Sequence, residues 1–308
     1  MSILILEDLY CKSIEAFGEK FLSRNDPTNP IIGSWLFLKK AYDSINDKDQ
    51  IVIIPQAKYL ISAINLLENF KNLKVIDYQL SPVKSSVEIN EFYAKTINEL
   101  KNKKQFHSTI NYLLLPSVLI NSPLDFFPIL ESPNQLTPDY LVHYKNQNVL
   151  IECKNSYFTE LGQKHIQRKT ESLIRKAKKQ LNSYAGIPGI CQFATNLSIL
   201  FENPQSLIDV VRNKIDKDTG NLSTILFTYF NDSDYPKYKV KYLPLFNFRA
   251  ETLLPYGFSK DIFPKSGILV ISSRVGDKHF FKEIEYKSNY YGIDPNLDEC
   301  FKKNDRKI

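Results

Sequence analysis

The sequence predicts an α/β protein: a mixed β-sheet flanked by helices, with N-terminal α/β and C-terminal additions. Three observations predict it. Segments with a helical apolar period alternate with short strand-like runs through the middle of the chain. The stretch LTPDYLVHYKNQNVLIECKNS, residues 136–156, sets two apolar runs around a polar tip, KNQN, and reads as a β-hairpin. The 308 residues are 43% hydrophobic and 24% charged, an ordinary globular balance with enough chain for one large domain or two modest ones.

Taken in order, residues 1–80 read as a small α/β region. IVII at 51–54 suggests a buried strand, AKYLISAINLLENF a helix, and LKVIDY at 73–78 a second strand, together a plausible βαβ unit. The first strand joins its helix through PQAK, not through a glycine-rich loop, so a nucleotide site of the usual kind is not supported. Residues 81–205 form the predicted core. SSVEINEFYAKTINELKNKK, 85–104, carries Ile89, Phe92, Tyr93, Thr96 and Leu100 on one helical stripe. INYLLLPSVLI is expected to follow as extended, buried chain, then the hairpin. A basic helix is expected from about 163 to 185, closed by GIP at 186–188, with ICQFAT and LSILF as further strand. Residues 206–308 are read as a C-terminal extension of the core or an accessory region, with QSLIDVVRNKI a short helix and LSTILFTYF a strand. The last sixty residues, rich in Tyr, Phe, Pro and Lys, give no clear order of elements.

Composition excludes several classes. Lys and Arg outnumber Asp and Glu by 40 to 34, a net charge of +6, which permits a polyanionic partner without demanding one. Cys11, Cys153, Cys191 and Cys300 are scattered with no CxxC pair, which argues against a disulfide framework or a zinc knuckle and suits a reduced, cytoplasmic setting. The opening MSILILEDLY lacks a basic region and turns acidic at Glu7, so it does not read as a signal peptide. The longest apolar stretches are far too short to span a bilayer, so no membrane association is expected.

The hairpin holds the chemistry. In NVLIECK, alternation sends Val149, Ile151 and Cys153 to one face and Leu150, Glu152 and Lys154 to the other, with Glu152 and Lys154 about 7 Å apart along the strand. Asp139 opens the preceding strand after Pro138, where the hairpin can bring it beside Glu152. Two converging carboxylates make a hard-oxygen site of the kind Mg²⁺ or Mn²⁺ takes. Such a metal activates water against a phosphodiester, and a neighbouring lysine stabilises the developing charge or positions the water. The bland alternative is that Asp139 caps a turn and Glu152 and Lys154 are a solvated edge-strand pair. A Pro-Asp pair occurs once in the chain and acid-x-Lys four times; only Glu152–Lys154 follows the Pro-Asp within a hairpin's reach and lies in an apolar run, where unpaired charge is expensive.

Pro138-Asp139 followed by Glu152-Cys153-Lys154 resembles the PD-(D/E)XK phosphodiesterase superfamily, which includes many restriction endonucleases and RecB-type nucleases. QLNSY, Gln180 to Tyr184, resembles the Q-x-x-x-Y motif of its RecB-like members and is the one such pattern in the chain. The resemblance covers roughly residues 85–205. It implies a restriction-endonuclease-like core. Asp139, Glu152 and the Cys153 carbonyl would be metal ligands, and Lys154 a catalytic residue. Mg²⁺ or Mn²⁺ would be the cofactor and DNA the substrate, in restriction, anti-phage defence, mobile-element processing or repair. A homodimer, or a partner protein of a defence or transposition system, belongs to the same expectation. Glu88, Glu99 and Glu131 are open candidates for a further acidic ligand.

On the basic helix, Leu173, Ala177, Gln180 and Tyr184 share a stripe, and a glutamine there either seeks a hydrogen-bond partner or sits at the stripe's margin. Gln180, Tyr184, Arg175 and Lys176 are the expected nucleic-acid contacts, within a basic set that includes Lys164, Arg168, Lys169, Lys178 and Lys179; a merely solvated basic helix is the alternative. YPKYKVKY at 235–242 reads as a further nucleic-acid contact or an ordinary exposed strand. Two other functions stay open: a non-catalytic nucleic-acid-binding or scaffolding subunit with this fold, and an RNA-cleaving effector.

Overall fold

Asn29 opens a helix by satisfying backbone that the helix cannot satisfy itself. Its Oδ1 accepts from the N–H groups of Ile31 and Ile32, and its Nδ2 donates to the Lys101 carbonyl. The computed structural model describes residues 6–47, 55–71, 89–119, 125–129, 136–156, 163–195, 220–230, 240–246, 250, 252, 254–255, 258, 267–275 and 278–286. These fall into two units.

The first unit is helical among its described residues: α1 (Leu6–Phe17), α2 (Glu19–Leu22), α3 (Pro30–Ser44), α4 (Lys58–Lys71), α5 (Ile89–Lys101) and α6 (Phe106–Leu119). Leu9, Ile31, Trp35, Leu38, Leu60 and Ile64 are among its buried side chains. The helices read at AKYLISAINLLENF and at 85–104 are α4 and α5. The two expected strands at 51–54 and 73–78 lie outside the described residues. One expectation is overturned: of INYLLLPSVLI, the described residues 110–119 are the body of helix α6, not extended chain. A short, mostly apolar run has too little period to distinguish a buried strand from a buried helix, and the 14-residue length of α6 is a helix's length.

The second unit is an eight-stranded mixed sheet in sequential order, β1 (Asp125–Pro128), β2 (Tyr140–Tyr144), β3 (Gln147–Ser156), β4 (Gly189–Thr195), β5 (Leu222–Phe230), β6 (Val240–Phe246), β7 (Gly267–Val275) and β8 (Lys278–Tyr286), with one described helix, α7 (Gln163–Asn182), packed on β3, β4 and β5. This is an α/β arrangement, as expected. The first strand is DFFP, which the sequence reading passed over; as an edge strand it tolerates the missing N–H of Pro128. The strands β6, β7 and β8 continue the same sheet, and β7 and β8 supply an order for part of the last sixty residues, where the sequence gives none. The segments LSILF and QSLIDVVRNKI lie outside the described residues.

Two local features set the register at the site. Lys145 and Asn146 both adopt positive φ, 48° and 65°, and close β2 onto β3 in a two-residue turn that pairs Tyr144 with Gln147 and Tyr140 with Ile151. The chain then crosses through α7 so that β4 runs parallel to β3, pairing Glu152 with Cys191 and Lys154 with Phe193. All of β4 is buried, as suits a strand with parallel neighbours on both sides.

The end of α7 is locked to the sheet. Asn182 Oδ1 accepts from the Asn221 N–H at 2.8 Å, and Asn221 Nδ2 donates to the Tyr184 carbonyl at 2.8 Å. A Cβ on Gly220 would lie 2.4 Å from Asn182 Oδ1, so this approach needs glycine. Asn221→Ala leaves the Tyr184 carbonyl without this donor in a buried place. We expect a loss of about 1–3 kcal/mol in urea unfolding; a change under about 0.5 kcal/mol would show that the lock is dispensable.

Candidate active site

Glu152 is 1% exposed, yet it carries a carboxylate. Its Oε1 accepts from Lys154 Nζ, while Oε2 has no hydrogen-bond partner among the described residues. Asp139 brackets the same residue from across the hairpin. Its N–H donates to the Ile151 carbonyl at 3.0 Å, and its Oδ2 accepts from the Cys153 N–H at 2.6 Å. The backbone of Ile151 and of Cys153, the two neighbours of Glu152, is thus tied to Asp139.

The network continues through α7. Lys154 Nζ also donates to Gln180 Oε1 at 2.8 Å, and Gln180 Nε2 donates to the Thr137 carbonyl at 2.9 Å. Thr137 stands immediately before Pro138 and Asp139, so the chain of contacts returns to the segment that carries the first carboxylate. The glutamine lies beside the buried line of α7, which runs through Thr170, Ile174, Ala177 and Leu181. Both sequence readings of Gln180 hold in part: it is marginal to the stripe, and it has directed partners.

The electrostatics are lopsided. Burial pushes the Glu152 carboxyl well above the usual carboxylate range, and the negative Asp139 adds to the push. The Lys154 ammonium and the Gln180 amide oppose it without cancelling it. Burial disfavours the Lys154 ammonium, but the field and hydrogen bond of Glu152, helped by Asp139, outweigh it and hold the lysine above its ordinary value. Burial, with the nearby carboxylates, pushes the Cys153 thiol well up, and burial does the same for Cys191. Both sulfurs therefore stay protonated, which disfavours a thiolate ligand or nucleophile.

An unanswered buried oxygen beside a second carboxylate fits a divalent cation better than it fits any neutral group. Among the described residues no three His, Cys, Asp or Glu side chains gather as a metal cage. Two carboxylates and a backbone carbonyl with waters would not form one, and that open arrangement is ordinary for Mg²⁺.

The other sequence-predicted residues fall as follows. Arg175 and Lys176 are exposed on α7, beside exposed Lys164, Arg168 and Lys179. Tyr184 is 4% exposed, which corrects its expected role: a ring this buried packs the core and does not meet a polymer. Glu99 accepts from Thr109 Oγ1 and lies 3.9 Å from Lys95 within the helical unit. Glu88, Glu131 and most of the 235–242 stretch lie outside the described residues. Two contributors escaped the sequence reading. The Thr137 carbonyl is backbone and leaves no side-chain signal. Cys191 stands beside Glu152 only because of the parallel register, which no local pattern reveals.

Comparison with protein-family models, with curated proteins and with solved structures finds no match to this chain. Among the described residues no helix is long and apolar enough to cross a membrane.

The raised Glu152 value has a signed consequence. Below the ordinary carboxylate pKa of about 4.3, Glu152 is protonated both folded and unfolded and nothing is lost. As pH rises through that value toward the higher folded one, the unfolded chain releases its proton first and stability falls. In EDTA the wild type should therefore lose stability as pH is raised from about 5, and Glu152→Gln should lack that component. Identical pH slopes in thermal unfolding of the two proteins would contradict the assignment.

Proposed function

We propose that this chain is a divalent-metal-dependent nuclease that hydrolyses phosphodiester bonds, with DNA as its substrate. One observation carries the reading: the buried Glu152 Oε2, without a hydrogen-bond partner among the described residues, beside Asp139 and on the strand face that also presents Lys154. The PD-(D/E)XK-like order of Pro138-Asp139 and Glu152-Cys153-Lys154 supports the same conclusion.

Asp139, Glu152 and the Cys153 carbonyl would hold Mg²⁺ or Mn²⁺, which when bound polarises a phosphate oxygen and lowers the pKa of water for attack. The residues do the rest. Glu152 gives up its proton to become a ligand, so cation affinity rises with pH. The Cys153 N–H fixes Asp139 Oδ2 and so aims the carboxylate. Lys154 keeps its ammonium and meets charge developing on the phosphate, in a place where burial strengthens the interaction. The exposed cations of α7, Arg175 and Lys176 among them, favour a polyanion along that helix.

The purified chain should cut plasmid, linear or single-stranded DNA with Mg²⁺ or Mn²⁺ and not with EDTA; cutting of RNA in preference would move the reading to an RNA-cleaving effector. Asp139→Ala and Glu152→Ala should abolish cleavage and weaken Mn²⁺ binding. Lys154→Ala should lose about 10²-fold or more in rate while keeping metal binding. Full activity in both carboxylate variants would remove this site from the chemistry.

Binding has its own check. Replacing Arg175 and Lys176 together by Ala should lower the slope of log affinity against log salt concentration by roughly 2 at most, if each meets one phosphate. An unchanged slope would leave α7 a solvated basic helix.

A further inference from the structure

Gln180 is held by two partners with opposite requirements. Its Oε1 accepts from Lys154 Nζ at 2.8 Å, and its Nε2 donates to the Thr137 carbonyl at 2.9 Å. Turning the amide over would set N–H groups against an ammonium and an oxygen against a carbonyl oxygen. The side chain therefore offers Lys154 an acceptor in one fixed orientation. Lys154 has a second acceptor in Glu152 Oε1. The two acceptors differ in what a cation would do to them. Glu152, once ionised as a ligand, would share its charge with the cation. Gln180 is neutral, sits on α7, and is anchored to main chain.

We propose that Gln180 is a positioning residue for Lys154: it is the acceptor that keeps the ammonium in the site when a divalent cation on Asp139 and Glu152 displaces it from Glu152. The inference rests on the reading of those two carboxylates as cation ligands. A dication and an ammonium on one carboxylate repel each other, and they do so most strongly where water is excluded, as it is around Glu152. Without the Gln180 acceptor the ammonium is held more strongly on Glu152 and competes with the cation there. The Lys154 side chain is only 15% exposed, so water is a poor substitute. Gln180 removes the conflict. Its bond to Thr137 also ties the lysine to the segment carrying Asp139. An effect of Gln180 on cation affinity that needs Lys154 separates this role from general support of the fold.

The test measures Mn²⁺ affinity by titration calorimetry on the full chain. The proteins are the wild type, Gln180→Leu, Lys154→Met, the double variant and Gln180→Glu, each checked for folding by circular dichroism and by thermal unfolding in EDTA. Gln180→Leu should weaken Mn²⁺ binding about tenfold, near the low end for a hydrogen bond to a charged group. Lys154→Met should bind Mn²⁺ at least as tightly as the wild type. The double variant should lie close to Lys154→Met, because the ammonium that Gln180 holds back from the cation is gone. Gln180→Glu, which keeps an acceptor, should bind no more weakly than the wild type. An unchanged affinity in Gln180→Leu, or an equal loss with and without Lys154, would overturn the proposal and leave Gln180 a structural residue. If Gln180→Leu does not fold, Gln180→Met takes its place in the cycle. A wild type whose Mn²⁺ binding is absent, or is untouched by Asp139→Ala, overturns the ligand assignment itself, a result distinct from the failure of Gln180 alone.

Discussion

A carboxyl group taken out of water, with one of its two oxygens unanswered among the described residues, is the constraint on which the site depends. Glu152 sits on an interior strand, with β2 on one side, β4 on the other and α7 packed over β3. An isolated ionised carboxylate in such a place is unfavourable by several kcal/mol even after relaxation. Lys154 answers one oxygen, and Gln180 in turn supports Lys154. Asp139 makes the imbalance worse, because a second negative group nearby raises the penalty on Glu152. Packing alone would have placed an apolar residue here.

The surrounding fold delivers four segments to this point with little freedom. The turn at Lys145 and Asn146 fixes which residues of β2 and β3 face one another, and a slip of one residue would have turned Glu152 and Lys154 to the opposite face. The crossover through α7 sets Gln180 over Lys154, and the paired asparagines Asn182 and Asn221 hold the end of the helix where that contact is made. Gly189, at the start of β4, lets Leu181 pack closely, since a Cβ there would lie 2.8 Å from that side chain. These contacts are structural, and the direction of the Gln180 amide depends on them.

Much of this was legible in the sequence because the relevant signals are local. The alternation in NVLIECK placed Glu152 and Lys154 on one face, and the polar tip KNQN announced the hairpin. The helical periods of α4, α5 and α7 were readable for the same reason. The misreading of INYLLLPSVLI had a physical cause: a short, mostly apolar run with polar groups only at Asn111 and Ser117 shows too little period to separate a buried helix from a strand. DFFP was passed over because four residues are too few to show alternation.

The sequence by itself determined the α/β class, the hairpin and the two carboxylates with their lysine, since each follows from residues within about twenty positions of one another. Only the tertiary structure decided that Glu152 Oε2 goes unanswered and that Gln180 turns its two ends to Lys154 and Thr137. The same holds for the burial of Tyr184 on the core side of α7 and for Cys191 beside Glu152. Those facts depend on how a parallel strand and a crossover helix dock against the hairpin. Docking is settled by packing between residues far apart in the chain, and no local pattern of side chains encodes it.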